Sequence, residues 1–393
     1  MSKIVYLIEQ PLDPRNYDRF GIQTWVDRGW TVEVWDLTGL AYPRVWDNFI
    51  ASGARVSDFA GYFPLISKSQ LQDRFRRLRK VEYFIDLTGD NWCSVRVKMF
   101  LKRRGAKRVI CATGSIPPAD EGKKSSVLYR LAEQFSKGIA AFGWLVDVVV
   151  QRLANPFIRP DLFVVAGEKS IPSSESDRKI IRAHNFDYDI YLKLTKSTSP
   201  NQGRSAVFLD QNICFHPDYK YGKLLAYATP EKYFPTICSG LRTISSGLGV
   251  SFQIAAHPRL SRQEKYIDYF EGIPVEYGKT AELISHCRFI VCHCSTAIQF
   301  AVLFGKPVIF VTTDELASSA VGRYIEIFAS ALGKSVINLD DELGSVDWQR
   351  ELDIDSRKYD EYISDYVKSD DSAKIPHWDI VINHLEKASG RPS

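Results

Sequence analysis

The chain has 393 residues, of which 45% are hydrophobic and 25% charged, and this composition excludes a disordered or fibrous protein. The length predicts two domains rather than one. The formal net charge of +4 is too small to require nucleic acid as a partner, and we predict none.

The sequence favours a cytoplasmic location. The first residues begin directly as a strand pattern, with no signal peptide before it. The longest apolar stretch, 138–150, is interrupted by Asp147 and is too short to span a bilayer. The 7 cysteines are odd in number and lie mostly in apolar, strand-like stretches, which is typical of reduced thiols in the cytosol.

Apolar runs of strand length alternate with helical patterns in two series. The runs are nearly continuous in Val, Ile, Leu and Phe, as parallel strands are when helices cover both faces of their sheet. The alternation predicts an α/β fold with two Rossmann-like domains that face each other across a cleft. The predicted strands are 4–9, 31–37, 81–87, 108–113 and 161–166, then 206–211, 251–257, 289–294, 307–312 and 335–339.

A polar, turn-rich segment at 195–203 separates the two series and reads as a linker. It places the first domain at 1–195 and the second at 204–375. The remaining segment, 376–393, begins with a proline and carries apolar residues at helical spacing. We predict that this last helix packs back across the two lobes.

Two runs of basic residues, at 74–80 and 102–108, lie in the first half of the chain. The ordinary interpretation is that they are solvated helix faces. The alternative is a surface that approaches anionic lipid or a phosphate-bearing acceptor. The apolar segment 126–153 has a similar pair of interpretations, a core helix or a contact with a membrane surface or a lipid acceptor.

Ligands of open α/β sheets bind at the carboxyl ends of the strands, and four strand ends of the second domain carry polar residues. Asp210 is costly to bury unless it faces a cleft or finds partners. It could cap the next turn, or act as the base or nucleophile of a glycosyl transfer. After the next strand, His257 and Arg259 could stabilise a departing phosphate, with Pro258 fixing the exit of the chain. His257 could equally be a hydrogen-bonded residue at a sheet edge.

Ser295 and Thr296 fall at the turn into a predicted helix at 297–304. Free N–H groups and the helix dipole favour a phosphate there, while Ser and Thr are also good N-caps, and both roles are compatible. The fourth strand end, 310–315, is the least specific. The Cys-His-Cys run at 292–294 lacks a second pair at zinc-site spacing, so we predict no metal.

The succession of Asp210-Gln211, His257-Pro258 and Ser295-Thr296 resembles bacterial GT-B glycosyltransferases that use CMP-activated acidic sugars, such as sialyltransferases and transferases of Kdo (3-deoxy-manno-octulosonic acid). The resemblance covers about half of the chain. Residues 209–211 and 183–189 are most similar to β-Kdo transferases of surface-polysaccharide assembly. The acidic-acidic-Gly triplet of sialyltransferases is missing around Asp210.

This resemblance implies retention at the anomeric carbon, with Asp210 as a possible covalent nucleophile. The transition state of such a transfer is oxocarbenium-like, so an opposed carboxylate can stabilise or trap it. CMP leaves as a monophosphate, so His, Arg and helix-end donors could suffice without a metal or other cofactor. The donor contacts that we expect come from Gln211, His257, Pro258, Arg259, Ser295 and Thr296.

The first domain carries weaker signals for an acceptor site. Gly114 and Ser115 follow a strand and could line the cleft, and Glu168 could bind an acceptor hydroxyl or serve as acid/base. An ordinary loop or turn is the alternative for each. The Asp-x-Asp triplet at 187–189 is better explained by a structural or hinge role than by a metal, because it does not follow a buried strand.

Three functions remain open at this point. The leading prediction is transfer of an acidic sugar, with Kdo favoured, from CMP to a glycan or lipid-linked acceptor, by an enzyme that could lie at the inner face of the cytoplasmic membrane. A sialyltransferase-like inverting enzyme is close to it, and a transferase or epimerase of UDP- or CDP-linked substrates is the second. The third is a non-catalytic glycan-binding subunit. No Gly-x-Gly-x-x-Gly follows the first strand, which argues against a dinucleotide dehydrogenase.

Overall fold

Two parallel β-sheets form the framework of the protein, one in each half of the chain. We call each sheet with its helices a lobe. Most of the predicted linker and the whole of 126–153 lie outside the residues that the structure describes. The computed structural model of the chain describes residues 2–53, 57–114, 116–117, 154–172, 179–196, 204–215, 226–257 and 267–390.

The first sheet is seven-stranded, in the order β3-β2-β1-β4-β5-β6-β7. Every pair of neighbours runs parallel. The chain builds outward from β1 to β3 and then returns to the other side of β1, so β1 and β4 are neighbours at the point where the order reverses. The strands are β1 (Lys3–Ile8), β2 (Thr31–Asp36), β3 (Tyr62–Pro64), β4 (Tyr83–Leu87), β5 (Lys107–Ala112), β6 (Leu162–Val165) and β7 (Ile180–Arg182).

The second sheet repeats this pattern with six strands, in the order β10-β9-β8-β11-β12-β13. Its neighbours are also parallel, and its order reverses between β8 and β11. The prediction of two Rossmann-like lobes is therefore confirmed. The strands are β8 (Ser205–Leu209), β9 (Ser251–Ala255), β10 (Val275–Glu276), β11 (Ile290–Cys292), β12 (Val308–Thr312) and β13 (Val336–Asn338).

The sequence pattern missed β3, β7 and β10. All three are edge strands of two or three residues. A run this short has no periodicity to detect, and it extends only because the neighbouring strand offers hydrogen-bonding partners. The longer, central strands were predicted because burial on both faces demands a continuous apolar sequence.

Helices cover both faces of the first sheet. Ile4 and Tyr6 of β1 belong to one buried cluster, together with Trp25, whereas Val5 and Leu7 belong to another. The helices of the chain are α1 (Pro14–Arg19), α2 (Ile22–Asp27), α3 (Thr38–Ala41), α4 (Pro43–Ala51), α5 (Lys68–Arg77), α6 (Trp92–Arg103), α7 (Phe186–Thr195), α8 (Pro230–Leu248), α9 (Thr280–His286), α10 (Ile298–Leu303), α11 (Asp314–Ala317), α12 (Ala320–Ala331), α13 (Ser356–Tyr362) and α14 (His377–Ala388). None of these described helices has the length and apolarity that a bilayer crossing requires.

The last helix returns to the first lobe, as predicted. Tyr362 is buried in the core of the second lobe, and the backbone N–H of Ser369 then donates to Ala166 O at the end of β6. Trp378 and Leu385 of α14 are buried in the same cluster as β1. Trp378 sits against Gly21, where a Cβ would lie 2.2 Å from its ring, so a residue with a side chain cannot replace this glycine.

Candidate functional site

The carboxyl ends of three neighbouring strands of the second sheet, β9, β8 and β11, lie side by side. The strand order reverses between β8 and β11. Asp210 follows β8, and its backbone N–H donates to Ala255 O of β9 at 3.1 Å. His257 follows β9, and Ser295 follows β11. The fold thus brings the ends that carry Asp210, His257 and Ser295 together, at the position where open α/β sheets bind their ligands.

Gln211 ties β8 to β11 across this point. Its side-chain oxygen accepts the backbone N–H of Cys294 at 2.9 Å, and its Nε2 lies 3.7 Å from Cys294 Sγ. The amide therefore holds the two strand ends at a fixed spacing. This contact explains Gln211 structurally, and its role in donor binding stays a prediction.

Asp210 is nearly buried, with 4% of its surface exposed. Its Oδ1 accepts the backbone N–H of Asn212 at 3.0 Å, and Asn212 adopts a left-handed conformation with φ of 53°. Asn tolerates this conformation better than most residues because its side chain hydrogen-bonds locally. Asp210 thus caps the turn through one carboxylate oxygen. Its role as nucleophile or base stays a prediction.

Behind the strand ends, His293 and Tyr233 form a buried hydrogen-bonded pair. His293 Nδ1 lies 2.7 Å from Val311 O, and its Nε2 lies 2.9 Å from the Tyr233 hydroxyl. A carbonyl oxygen only accepts, so Nδ1 carries the proton and Tyr233 donates to Nε2. Burial lowers the pKa of His293 to about 4, which keeps the ring neutral. Burial also raises the pKa of Tyr233 well above its usual value, and the Asp210 carboxylate adds to that shift.

The sequence pattern did not single out Tyr233, because it lies within the ordinary helical pattern of α8. His293 was considered only as part of a metal site, and its two ring nitrogens are instead engaged by Val311 and Tyr233. Within the described residues, no three His, Cys, Asp or Glu side chains cluster as a metal site would.

Ser295 and Thr296 precede a shorter helix than predicted. The helix is α10, Ile298–Leu303, and Ser295 Oγ accepts the backbone N–H of Ala297 at 3.2 Å in the turn before it. Ser295 is half-buried and Thr296 is exposed. The capping role is observed for Ser295, and phosphate binding by either residue stays a prediction.

Three of the predicted site residues, Ser115, Pro258 and Arg259, lie outside the described residues. The fourth strand end is occupied by contacts within the lobe. There, Glu315 accepts from the backbone N–H of Thr229, which precedes α8, at 3.0 Å. Thr313 caps the short helix α11.

The first sheet has an equivalent point between β1 and β4, and Glu9 occupies it. Glu9 Oε2 accepts the backbone N–H of Gly89 at 3.1 Å, and its Oε1 accepts from the Asn91 side chain at 2.7 Å. Burial raises the pKa of Glu9, although both hydrogen bonds oppose the shift. Glu9 is not among the predicted site residues, although it directly follows β1 and the rule that residues after a strand line the ligand site selects it.

An ionic cluster lies beside Glu9. Lys98 is fully buried, with Nζ 3.1 Å from Asp86 Oδ2 and 2.7 Å from Asp90 Oδ1. Arg108 Nη2 lies 2.6 Å from the same Asp86 oxygen. Arg108 belongs to the basic run at 102–108, for which the sequence predicts an exposed position. That expectation is wrong for Arg108, because Asp86 supplies the charge that lets the guanidinium be buried.

Gly114 and Glu168 follow β5 and β6 of the first sheet, and both are exposed. Gly167 packs against the returning chain, where a Cβ would lie 2.3 Å from the Asp365 backbone. The loop that carries Glu168 is therefore part of the contact between the lobes. The acceptor-binding and acid/base roles of Gly114 and Glu168 stay predictions.

The Asp-x-Asp triplet also belongs to the connection between the lobes. Asp189 Oδ1 accepts the backbone N–H of His377, the first residue of α14, at 2.9 Å. His377 Nδ1 in turn lies 2.6 Å from His184 O, and burial together with the charge of His184 lowers the pKa of His377 to about 3. Asp189 thus has a structural contact at the point where the chain returns to the first lobe.

No protein-family model and no curated protein matches the chain. Solved structures do resemble it. The wall teichoic acid polymerase TagF, as its H548A variant, superposes with a TM-score of 0.54 at 10% identity, covering 99% of this chain and 89% of that chain. The TagF H444N variant soaked with CDPG gives 0.52 at 10% identity, over 99% and 90%.

The complex of MnaA from S. aureus with UDP is a further match, with a TM-score of 0.50 and 13% identity over 100% of this chain and 99% of that chain. At such identities the likeness concerns the fold alone. The strand orders, the returning C-terminal helix and these superpositions agree, and the chain has the two-domain, Rossmann-like GT-B fold.

Proposed function

We propose that the protein is a glycosyltransferase that moves an acidic 2-keto-3-deoxy sugar, with Kdo favoured, from its CMP donor to a bacterial surface-glycan acceptor. One observation carries the proposal: the ends of β9, β8 and β11 bring the segments of Asp210, His257 and Ser295 to a single edge of the second sheet. A nearly buried carboxylate at one strand end, with a His and hydroxyl residues at the neighbouring strand ends, fits what departure of a phosphate from an acidic sugar requires.

In the proposed reaction, Asp210 attacks the anomeric carbon while the bond to the CMP phosphate breaks. The negative charge that develops on the phosphate is stabilised by His257, Arg259 and the hydroxyl groups of Ser295 and Thr296. An acceptor hydroxyl then displaces Asp210 and gives its proton to a base, for which Glu168 is the candidate. Two displacements at one carbon retain its configuration. No metal is required, because the leaving monophosphate is met by side-chain donors.

The acceptor side of the proposal rests on the first lobe. Gly114 and Ser115 at the end of β5 are the candidates for acceptor contacts. The acceptor is a glycan or a lipid-linked glycan, and the enzyme works in the cytoplasm, bound peripherally at the inner face of the membrane. The exposed part of the basic runs, which includes Arg76, Arg103 and Arg104, supports this location.

A nucleotide thermal-shift series tests the donor. We expect CMP to raise the melting temperature and UDP and CDP to leave it unchanged, in buffer containing EDTA. The assay is then repeated as a turnover measurement, in which CMP-Kdo with an oligosaccharide acceptor should release CMP. Stabilisation by no nucleotide, with binding of oligosaccharide alone, would contradict transfer and favour a glycan-binding subunit.

The second candidate is an enzyme of UDP- or CDP-linked substrates. It is favoured by the MnaA structure, which is a complex with UDP, and by the TagF structure, which was soaked with CDPG. Stabilisation by UDP or CDP but not by CMP would select it. The configuration of the product, read by NMR, separates the retaining reaction from an inverting one in which Asp210 acts as a base.

A further inference from the structure

An apolar groove of about 570 Å³ runs along the outer side of α6 in the first lobe. Its walls include Phe75 of α5, Trp92 and Phe100 of α6, and Phe157. It lies on the opposite side of α6 from the sheet, because Val97 and Leu101 face the buried core.

Two aromatic side chains at this groove are exposed to solvent. Phe157 is 65% exposed and Trp92 is 60% exposed, the highest values among the large hydrophobic side chains of the described residues. Isolated exposed hydrophobic residues are common on protein surfaces, but several that line one groove mark an interaction site.

The floor of the groove is well packed, so its shape does not depend on the exposed residues. The rings of Phe75 and Phe100 stack with a centroid distance of 3.8 Å and an interplanar angle of 16°. Ala154 and Ile158 are buried against Val95, which anchors the turn that displays Phe157. Substitution of Trp92 or Phe157 therefore leaves the floor in place.

The polar part of the groove is cationic. Arg96 and Arg103 belong to its lining, and with Trp92 they are the exposed residues of α6. The spacing from Trp92 to Arg96 and from Arg96 to Arg103 places all three on one face of the helix. The guanidinium carbon of Arg104 lies over the Phe100 ring, 5.2 Å from the ring centroid. An aromatic residue flanked by arginines with long apolar stems is typical of a membrane–water interface.

We propose that this groove docks on a bilayer of anionic phospholipid. An acyl chain lies along Phe75, Phe100 and Phe157, and Arg96 and Arg103 bind the phosphates of the headgroups. Lipid combines an apolar chain with a negative headgroup, and this groove combines aromatic walls with Arg96 and Arg103. This charge complementarity favours anionic lipid over a neutral partner. The inference rests on the peripheral membrane location proposed above and is independent of the sugar donor.

Flotation of the full chain with vesicles tests this docking. The chain should float with vesicles of phosphatidylcholine that contain phosphatidylglycerol, should float poorly with phosphatidylcholine alone, and should be released by salt. Arg96→Gln and Arg103→Gln should each weaken binding about fivefold, which corresponds to about 1 kcal/mol per basic residue at a membrane surface. The double variant Trp92→Ser/Phe157→Ser should weaken it about tenfold or more.

Matched controls come from α12 in the second lobe, where Arg323 and Tyr324 are adjacent and exposed. Arg323→Gln and Tyr324→Ser should float as the wild type does. A second measurement does not depend on folding of a variant: acyl-brominated phosphatidylglycerol should quench the fluorescence of Trp92, and Trp92→Phe should bind the vesicles but lose this part of the quenching.

Equal binding of wild type and groove variants would overturn the proposal, as would the absence of flotation. Flotation that requires a lipid-linked acceptor would assign the groove to the acceptor tail instead. Cross-linking of position 92 to residues 118–153 would show instead that a segment of this same chain occupies the groove. The nucleotide thermal shift, measured on the same samples, separates a failure of this surface from a failure of the donor assignment.

Discussion

The two lobes repeat one topology but treat its reversal point differently. In the first lobe, Glu9 after β1 accepts the backbone N–H of Gly89 beyond β4. In the second lobe, Gln211 beyond β8 accepts the backbone N–H of Cys294 beyond β11. Each side chain thus bridges the same pair of strand ends, and the bridge is a carboxylate in one lobe and a neutral amide in the other.

The groups around the two bridging side chains also differ in charge. Beside Glu9, the charges of Lys98 and Asp86 are buried and neutralise each other. Beside Gln211, the buried groups are Asp210 and the neutral His293–Tyr233 pair. Glu9 thus places a carboxyl group at the reversal point of the first lobe, whereas the Gln211 amide adds no charge at the equivalent point of the second lobe. This difference fits our proposal that the second lobe binds the donor.

The largest effect should come from Asp210→Asn. The asparagine oxygen can still accept the backbone N–H of Asn212, so the turn should survive. We expect the rate of transfer to fall about a thousandfold or more while stabilisation by CMP persists, because the proposed nucleophile is lost and the turn is kept. CMP release and thermal shift measure the two quantities. The same substitution at Asp314, at the fourth strand end, is the control, and retained turnover would remove Asp210 from the mechanism.

Lys98→Met tests how much the buried ion pairs beside Glu9 stabilise the first lobe. The substitution keeps most of the side-chain volume but leaves the buried Asp86 and the partly exposed Asp90 with Arg108 as their remaining cation. We expect a loss of about 3–5 kcal/mol in the free energy of unfolding, measured by urea denaturation. Lys232→Met, which breaks an exposed pair with Glu315, should cost less than about 1 kcal/mol. Adding Asp90→Asn to Lys98→Met should recover part of the loss.

The buried His293 should make the second lobe sensitive to acid. Its pKa is lowered to about 4 in the folded chain, below the ordinary value of 6.5. Between these two pH values the unfolded chain binds a proton at this residue and the folded chain does not. The free energy of unfolding therefore decreases as the pH falls from 6.5 towards about 4, by up to about 1.4 kcal/mol per pH unit. His293→Gln should be less stable than the wild type at neutral pH, and the difference in unfolding free energy should shrink on acidification. A difference that stays constant with pH would contradict this assignment.

The smallest effects should come from changing the charge of the two bridging residues, Gln211 and Glu9. Gln211→Glu places a negative charge where we propose that the donor phosphate binds, so the Kd for CMP should rise about tenfold. Glu9→Gln removes a charge from the other lobe and should leave that Kd unchanged. Isothermal titration with CMP measures both, and equal effects of the two substitutions would argue against the second lobe as the donor site.

Much of this fold could be predicted from residues read one segment at a time. The strands β1, β8 and β12 were found because burial on both faces requires an unbroken apolar run. The returning helix α14 was found from its proline start and the spacing of Trp378, Val381 and Leu385. Asp210, Gln211 and Ser295 were selected by one rule, that a parallel sheet offers its carboxyl ends to ligands.

The remaining features depend on partners that are distant in sequence. The edge strands β3, β7 and β10 extend because a neighbour pairs with them, and nothing in two or three residues signals that pairing. Arg108 is buried because Asp86 lies beside it, although its sequence context is a basic run. The proton of His293 is placed by Val311 O, 18 residues further along the chain.

Local sequence thus determined the class of fold and the positions where polar residues interrupt apolar strands, since both follow from burial along a single segment. Tertiary structure alone decided which of those residues meet, which charges are neutralised and which side chains bridge the strand ends. The physical reason is that hydrogen bonds and ion pairs join two groups, and their strength is set by the distance between atoms that the order of residues does not record.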